Sequence, residues 1–503
     1  MNAPTDSAAP EPRGPMEKWG FWIAIVITLG GWLALRDHAT RGPGERTPDV
    51  IVCLVDALRA DRLSSYGNPR KTSPEIDALA ARGALFERAY AAAPWTLASV
   101  ASIFTATPPT THGAGVWSAE RNDIAPTALA SATPTLAASL RKLGYSTRAR
   151  TANSYLTLGC LQGFDRLQVL PGSAEDIVDW ALEEAEQEPE RPMFLYLHFM
   201  DVHTENDLPT PFVHRFPTPE AGPRRRDHIN YGTAVTQELC GDSLRDFVSH
   251  KTAIYDGALS YLDEQIGRLV RSLPSARRGR PATIVITADH GEELWDHAEL
   301  ERLAYSDPRG YYGVGHGQSL FEELIHVPLV VVGSGVAPGT RVKTPVSLLD
   351  VAPTLVDVAG GGALVGPLTQ GRSLLSALSG REPERIPLFA EQILYGHERR
   401  SILDTDDSKL IEALDPRERS LLFDLASDPK ETKDQLSEAP GPRLEALRAR
   451  LRAHFDGLPK AGSLEATPVD AATADALRHI GYMGKAVPPS GDSPPASAPA
   501  ENR

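Results

Sequence analysis

Three acidic or imidazole side chains follow two apolar segments of the sequence, and their types suit a metal site. Asp56 comes directly after Asp49–Val55. Asp289 and His290 come directly after Ala282–Ala288. Each segment is short and rich in β-branched residues, as is typical of a strand buried in a parallel sheet. Carboxylates with imidazole favour Zn, Mn or Fe, whereas oxygen ligands alone would favour Ca or Mg. The pattern predicts a divalent-metal site and leaves both groups of metals open.

Further polar residues lie beside two other apolar segments. Asp201 and His203 follow the segment 192–199, and His316 precedes the segment 327–332. Asp201 could equally be a solvated loop carboxylate, and His316, which lies between two glycines, could be an ordinary loop histidine. If all four segments are strands of one sheet, however, these side chains would gather at one edge of it.

Helical patterns alternate with the apolar segments. Thr72 and Glu75 match a capping box, Pro74 would lie in the first turn, and Gly83 could end that helix. An apolar stripe at helical spacing predicts another helix over 252–270. The alternation predicts an α/β fold with a large, mostly parallel sheet flanked by helices, in which ligands bind beyond the carboxyl ends of the strands.

Thr96 is the candidate nucleophile. It follows Pro94 and precedes a segment of helical composition at 97–104, so we expect it at a helix N-terminus. There, free N–H groups and the helix dipole favour an anion. A simpler alternative is that Thr96 only caps the helix. A metal held by Asp56 and Asp289 would lower the pKa of the hydroxyl and make Thr96 a nucleophile.

The overall composition limits the choice of partners. The chain has 503 residues and a formal net charge of −15, which argues against nucleic acid as a partner. Its 41% hydrophobic and 23% charged residues are ordinary for a globular protein. The three cysteines, Cys53, Cys160 and Cys240, have neither disulfide-framework nor zinc-ligand spacing.

Residues 19–35 are predicted to form a membrane anchor. They contain no charged residue, carry three tryptophans near the ends, and would span about 26 Å as a helix. The alternatives are a cleaved signal peptide and a buried helix. The long hydrophilic segment before residue 19 and the lack of a small-residue cleavage site favour the anchor. The balance of Lys and Arg on its two sides does not decide its orientation.

Several longer motifs resemble the sulfatase family within the alkaline phosphatase superfamily. They follow the family's order and rough spacing, and they cover most of residues 49–485. The motifs include VDALRADRLSSYG (55–67), TSPEIDALAARGALFERAYA (72–91), QGFD (162–165), TADHGEE (287–293), GHGQSLFEELIHVPLVV (315–331), LLDVAPTLVDVAG (348–360) and LLFDLASDPKETKDQL (421–436).

The resemblance implies a role for each candidate residue. Those matching metal ligands are Asp56, Asp289 and His290, and Thr96 occupies the nucleophile position. His203 and His316 resemble groups that contact the transferred oxyanion or protonate the leaving group. His112 also matches a family pattern, although a structural role at a helix end is an equal alternative. The expected cofactor is a divalent metal ion (Mn, Zn or Ca), and the sequence leaves the number of ions open.

The resemblance and the composition together predict the organisation of the chain. The fold would be alkaline phosphatase-like, with a smaller C-terminal α+β subdomain and an N-terminal transmembrane helix. A Pro-rich, charged stretch at 208–230 is predicted to be a surface insertion. The predicted divisions are an N-terminal tail (1–18), the anchor (19–35), a linker (36–48), the catalytic domain (49–380), the C-terminal subdomain (381–485) and a disordered tail (486–503). The family relationship implies a catalytic domain outside the cytoplasm.

Departures from the family pattern affect the predicted chemistry. Family sulfatases carry Cys or Ser where this chain has Thr96, followed four residues later by Arg, which is here Val100. Threonine cannot be converted to formylglycine, so that group is not expected. The stretch after Gly144 also lacks the Lys and His that many sulfatases place there to bind sulfate.

The resulting prediction is a metal-dependent hydrolase of sulfate or phosphate esters that acts on a small anionic substrate. Family members with threonine at the nucleophile position resemble phosphodiesterases, phosphonate hydrolases and phosphoethanolamine transferases, and these are the alternatives. A hypothesis from another class is a catalytically inactive, membrane-anchored binding protein that retains the fold.

Overall fold

The computed structural model describes residues 47–116, 126–203, 209–217, 241–307, 310, 312–362, 370–392, 394–439 and 441–462. The predicted N-terminal tail, membrane anchor and disordered C-terminal tail lie outside these residues, as do most of the linker and much of the 208–230 insertion. Across the described ranges, no helix combines the length and hydrophobicity needed to cross a bilayer.

Nine strands form the large sheet. They are β1 (Asp49–Val55), β2 (Ala84–Tyr90), β3 (Ser146–Thr151), β4 (Arg166–Val169), β5 (Met193–Phe199), β6 (Ala282–Ala288), β9 (His326–Gly333), β10 (Thr340–Val342) and β11 (Val346–Ser347). Their order is β10-β2-β9-β6-β1-β5-β3-β4, and β11 also pairs with β2. Two short strands, β7 (Glu293–Leu294) and β8 (Val314–Gly315), form a separate pair.

The centre of the large sheet agrees with the prediction from sequence. β1 pairs in parallel with both β5 and β6, and all seven of its residues are buried. Because successive side chains of a strand point to opposite faces, complete burial means that both faces of β1 are covered. The carboxyl ends of β1, β5 and β6 therefore lie side by side.

The sheet is mixed, because β9 runs antiparallel to both β2 and β6. Its first residues pair near the end of β6, as in the pairing of Leu329 with Thr287, whereas Gly333 pairs with Thr283. The chain thus leaves β6 and enters β9 at the same edge of the sheet. A parallel pairing would require β9 to begin at the other edge, so these two strands pair antiparallel.

Helices flank the sheet in two groups. The α-helices are α1 (Pro74–Arg82), α2 (Thr96–Thr105), α3 (Pro109–His112), α4 (Leu136–Lys142), α5 (Ala174–Gln187), α6 (Thr210–Val213), α7 (Gly241–Ala276), α8 (Ala298–Ala304), α9 (Glu322–Ile325), α10 (Val351–Val358), α11 (Leu375–Leu378) and α12 (Gly441–Gly457). Helices α1 and α5 pack on α7, while α2 and α4 pack on α10. The helix predicted over 252–270 is part of α7.

The start of α1 differs from the predicted capping box. Ser73 is the N-cap residue, and the Thr72 hydroxyl donates instead to the carbonyl of Arg62 at 2.6 Å. The carboxylate of Asp263 on α7 accepts the free N–H groups of Glu75 and the following residue at 2.9 and 2.8 Å. A long-range carboxylate therefore replaces the local cap that the sequence predicts. The predicted end of this helix, Gly83, is confirmed.

A buried ion pair holds the first residue of β1. The Asp49 carboxylate lies 2.8 Å from the Arg277 guanidinium and also accepts the backbone N–H of Met193 at 2.8 Å. Both charged side chains are buried, so each compensates the desolvation of the other. The pair fixes β1 against β5 and the end of α7.

A four-stranded antiparallel sheet follows the large sheet in the sequence. Its strands pair in the order β12 (Leu388–Gln392), β13 (Arg399–Leu403), β14 (Ser408–Ala413) and β15 (Leu421–Asp424). One face packs on α12 through a small apolar cluster that includes Ile402, Leu410 and Phe455. We refer to these four strands as the small sheet.

His297 links this C-terminal region to the loop that follows β6. Its Nδ1 lies 2.6 Å from Glu323 Oε1, and its Nε2 lies 3.1 and 3.2 Å from the carbonyls of Lys430 and Glu431. A ring with acceptors at both nitrogens is best satisfied as the doubly protonated cation. Burial opposes protonation, but Glu323 and then Glu431 outweigh it and raise the pKa of His297 to about 9.

The raised pKa of His297 predicts a stability contribution that disappears in alkali. It is fully present below the unfolded-state pKa of about 6.5 and is lost as the pH rises through 9. We expect the difference in unfolding free energy between wild type and His297→Gln to shrink by about 3 kcal/mol between pH 6.5 and pH 10. Urea unfolding across this range measures it, and a difference independent of pH would contradict the assignment.

Candidate active site

The carboxylate of Asp56 is the centre of a buried polar cluster at the end of β1. Its Oδ2 lies 3.2 Å from Thr96 Oγ1, 3.0 Å from Asn153 Nδ2 and 3.1 Å from His198 Nε2. All four side chains are buried. They come from β1, α2, the end of β3 and β5, so neighbouring elements deliver their polar groups to one edge of the large sheet.

Asp289 and His290 enter the same cluster from the end of β6. His290 Nε2 lies 3.4 Å from Asp56 Oδ1, 3.4 Å from Asp289 Oδ2 and 3.2 Å from Thr96 Oγ1. The other ring nitrogen lies 2.8 Å from the carbonyl of Gly291, which can only accept, so Nδ1 carries the proton. Burial lowers the pKa of His290 to about 3, and the ring is therefore neutral, with the Nε2 lone pair directed at two carboxylates.

The pKa values of the two carboxylates, Asp56 and Asp289, shift in opposite directions. Burial works against ionisation of Asp56, but its electrostatic interaction with His203 and its hydrogen bond with His198 outweigh burial and hold the pKa of Asp56 below its usual range. Burial and then the negative charge of Asp56 raise the pKa of Asp289 well above its usual range. Within the described residues, Asp289 Oδ2 accepts no hydrogen bond.

These groups fit a divalent cation. Two carboxylates and an imidazole lone pair face one another without enough protons to satisfy them, and a cation would neutralise all three at once. The ligand atoms of Asp56, Asp289 and His198 also lie within 4.8 Å of one another, so a second imidazole is within reach. Mixed carboxylate and imidazole ligands suit Zn or Mn more than Ca.

Thr96 is the first residue of α2. The N-cap residue is Trp95, whose side chain makes no capping hydrogen bond, so Thr96 does not occupy the capping position. Its hydroxyl turns instead toward Asp56 and His290. The N-terminal end of a helix, which favours negative charge, and a hydroxyl close to the carboxylates thus occur at the same point.

His316 and His203 lie beside the metal-ligand candidates. The ring of His316 is 4.3 Å from that of His290 and 5.1 Å from that of His203, between centroids. His316 Nδ1 lies 3.1 Å from Glu292 Oε2. Burial raises the pKa of Glu292 to about 7.

Two residues considered from the sequence lie outside the cluster. His112 Nε2 is 3.0 Å from Ser102 Oγ, and its Nδ1 accepts the N–H of Ala114, so it joins the end of α3 to α2. Asp201 accepts the N–H of Ala174 at 3.0 Å, at the start of α5. Both contacts are structural. For His112 this agrees with the simpler alternative, whereas Asp201 is buried and is therefore not the solvated loop carboxylate considered from the sequence.

Three residues of the cluster are absent from the set predicted from sequence. His198 is a polar residue inside an otherwise apolar strand, which is a signal that could have identified it. Glu292 follows His290 by two residues in the TADHGEE motif. Asn153 gives little signal, because only the pairing of β3 with β5 brings it to Asp56.

The structure shows what surrounds the positions that depart from the family pattern. Val100 is fully buried in α2, one turn after Thr96, so an apolar side chain replaces the cation expected there. Asn153 lies in the stretch where many family members place Lys and His, and its amide reaches Asp56. A metal-ligand candidate is thus supported by an amide where many sulfatases bind the anion.

Comparisons with known proteins agree with this architecture. The sulfatase family model matches residues 48–361. The choline-sulfatase of Rhizobium meliloti is 30% identical over 290 residues, which are 55% of this chain and 51% of the relative. The aligned part therefore spans about half the length of that relative.

Solved structures share the fold at low sequence identity. One, determined in complex with its substrate D-glucosamine-2-N,6-O-disulfate, has a TM-score of 0.65 at 20% identity and covers 83% of this chain and 100% of its own. The phosphonate monoester hydrolase of Silicibacter pomeroyi has a TM-score of 0.60 at 20% identity and covers 82% of this chain and 96% of its own. Because the family model matches more than half of the sequence, this chain belongs to the sulfatase family, a family of ester hydrolases.

Proposed function

We propose that this protein is a divalent-metal-dependent hydrolase of sulfate or phosphate esters with Thr96 as its nucleophile. The observation that carries the proposal is the position of Thr96 Oγ1, which lies 3.2 Å from both Asp56 Oδ2 and His290 Nε2 at the start of a helix. A nucleophilic hydroxyl needs a nearby cation or base and a site that accepts negative charge, and this position supports both requirements.

The residues have distinct roles in the proposed reaction. Thr96 Oγ1 forms a bond to sulfur or phosphorus while the bond to the leaving oxygen breaks. The Thr96 hydroxyl donates to Asp56 Oδ2 at 3.2 Å. A bound divalent cation would lower the pKa of the hydroxyl, so that its proton is lost to solvent before the attack, and would offset charge on the transferred group. The N-terminal end of α2 would favour the negative charge of the non-bridging oxygens.

His316 is the proposed general acid. Its Nδ1 is engaged by Glu292, so Nε2 is the nitrogen that can donate a proton to the leaving oxygen. In the second step the same nitrogen can accept a proton from the water that releases the threonine ester. His203, packed against His316, is proposed to contact the transferred oxyanion.

The composition of the site favours esters that carry a single negative charge. Beside a cation, the site presents imidazoles, a hydroxyl and an amide together with the carboxylates of Asp56 and Asp289, and burial lowers the pKa values of both His290 and His203. Two carboxylates and mostly neutral imidazoles compensate one negative charge on a substrate more easily than two. Sulfate monoesters, phosphodiesters and phosphonate monoesters are all monoanions, and the fold is shared with a phosphonate monoester hydrolase.

The membrane anchor at 19–35 and a catalytic domain outside the cytoplasm remain predictions from the sequence.

The departures at Thr96 and Val100 favour phosphorus esters over ordinary sulfatase substrates. Transfer to another alcohol, as in a phosphoethanolamine transferase, would use the same first step.

Removal of the nucleophile tests the proposed function. We expect Thr96→Ala to lower kcat by about 10³-fold or more, because only electrostatic and binding effects remain, and Thr96→Ser to retain activity. Thr105→Ala is the control in the same helix. Within the described residues, the Thr105 hydroxyl bonds only to the carbonyl of Ala101 and the hydroxyl of Thr107, so this change should leave kcat unchanged.

Mass spectrometry of rapidly quenched wild-type protein should detect a covalent adduct on the peptide that contains Thr96. A protein that binds an ester without turnover, with affinity unaffected by Thr96→Ala, would instead support the inactive binding protein.

Metal removal tests the proposed cofactor. We expect chelation to abolish activity and lower the thermal stability, because Asp56 and Asp289 then face each other without compensation. Metal at about 100 times its Kd should restore about 2.7 kcal/mol. The stabilisation should disappear in Asp289→Asn and persist in Asp201→Asn, where the replaced carboxylate is buried outside the cluster. Equal activity and stability with and without metal, checked by elemental analysis, would exclude this role.

A substrate panel tests the charge preference. Nitrophenyl esters of sulfate, of methylphosphonate and of a phosphodiester should be hydrolysed with higher kcat/KM than nitrophenyl phosphate, which is a dianion. The expectation follows from the two carboxylates and the mostly neutral imidazoles of the site, and steady-state kinetics measures it. Preference for the dianion would contradict it, while turnover of the sulfate ester alone would overturn the preference for phosphorus.

A further inference from the structure

The loop that carries His316 is closely fitted to the small sheet. Gly315 and Gly317 have φ values of 78° and 87°, a conformation that L side chains rarely adopt. A side chain at Gly317 would also meet Leu394 and the ring of Tyr395, in the turn between β12 and β13. The loop therefore has little freedom to move toward the small sheet.

Two side chains of the small sheet hold the carbonyls of this loop. Gln392 Nε2 donates to the carbonyl of Gly317 at 3.0 Å, and Arg399 Nη1 donates to the carbonyl of Gln318 at 2.7 Å. Gln392 and Arg399 are directly paired across β12 and β13, and Arg399 Nη1 also donates to Gln392 Oε1 at 3.1 Å. The two donors thus form one unit that grips the two residues after His316.

Arg399 is itself fixed from two further directions. Its Nη2 lies 2.6 Å from Glu418 Oε1, and its guanidinium lies 4.0 Å from the centre of the Tyr305 ring. Both Arg399 and Gln392 are almost completely buried. Apolar side chains would fill this space without the cost of burying a charge. We therefore attribute a specific role to these hydrogen bonds: they favour one conformation of the loop, which packing alone would not select.

The loop conformation determines where the His316 ring lies. That ring lies against His290 and is oriented through its Nδ1 by Glu292, so the direction of its Nε2 depends on the backbone that Gln392 and Arg399 hold. We propose that Gln392 and Arg399 are positioning residues through which the small sheet aligns His316 as the proton donor to the leaving group. This inference rests on the acid role of His316 in the proposed function.

The leaving group provides the specific readout. A 4-nitrophenolate leaves without protonation, whereas an unsubstituted phenolate is a stronger base and depends more on the general acid. Loss of alignment should therefore affect the phenyl ester far more than the nitrophenyl ester. A general loss of folding or of metal would reduce both equally.

The test uses the full chain with its metal and the phenyl and 4-nitrophenyl esters of whichever acid the wild type hydrolyses. We expect Gln392→Met and Arg399→Lys each to lower kcat for the phenyl ester by about tenfold or more, given that a general acid contributes about 10²–10⁴-fold. Turnover of the nitrophenyl ester should fall much less. His316→Gln should show the same pattern more strongly.

Arg400→Gln is the matched control. Arg400 is the next residue of β13, but it pairs with Glu398 and lies over the ring of Phe455, away from the His316 loop. Its ratio of phenyl to nitrophenyl turnover should equal that of wild type. Thermal unfolding identifies folded variants, and if Arg399→Lys does not fold, Gln392→Met decides the question.

The outcomes separate the inference from the proposed function. An unchanged ratio in folded Gln392→Met, together with a changed ratio in His316→Gln, would overturn the positioning role and leave His316 as the acid. An unchanged ratio in His316→Gln would overturn both the acid role and this inference, while the effect of Thr96→Ala would still test the nucleophile independently.

Discussion

The structure concentrates negative charge and an imidazole lone pair in one buried place, and this charge imbalance constrains the rest of the site. His290 is locked by the Gly291 carbonyl with Nε2 facing Asp56 and Asp289. A proton on Asp289 can relieve part of the repulsion, but a cation would relieve it for all three groups. Thr96 is the proposed nucleophile because its hydroxyl lies beside these groups.

The arrangement of strands explains how such a cluster can be held rigidly. β1, β5 and β6 are adjacent and parallel, so Asp56, His198 and Asp289 come from strand ends that cannot shift independently. The antiparallel β9 has a further consequence. β9 begins at the edge where β6 ends, and the loop with His316 lies beside the residues that follow β6.

The fold could be predicted from the sequence largely because its central strands are continuous apolar runs. Asp49–Val55 and Ala282–Ala288 agree with the predicted segments residue for residue. The predicted cap of α1 was wrong, because a carboxylate from α7, far away in sequence, accepts the N–H groups that a local cap would accept. Local sequence patterns could not predict the direction of β9 either, because it depends on the edge of the sheet at which the chain enters that strand.

The candidate site could be predicted only where a residue adjoins a strand or helix end. Asp56, Asp289, His290 and Thr96 meet that condition, and the structure brings them together. Asn153 reaches Asp56 through the order of strands in the sheet, which no short motif encodes.

The large and small sheets divide the proposed chemistry between them. Ends of the large sheet and the start of α2 provide the nucleophile and the metal-ligand candidates, whereas Gln392 and Arg399 reach the proton donor from the small sheet. The two halves meet through the pair of His316 and Glu292, because Glu292 lies two residues after His290. A change in the small sheet could therefore retune the choice of leaving group without disturbing the nucleophile. Separation of these functions would let relatives of one fold act on different esters while retaining the same buried centre.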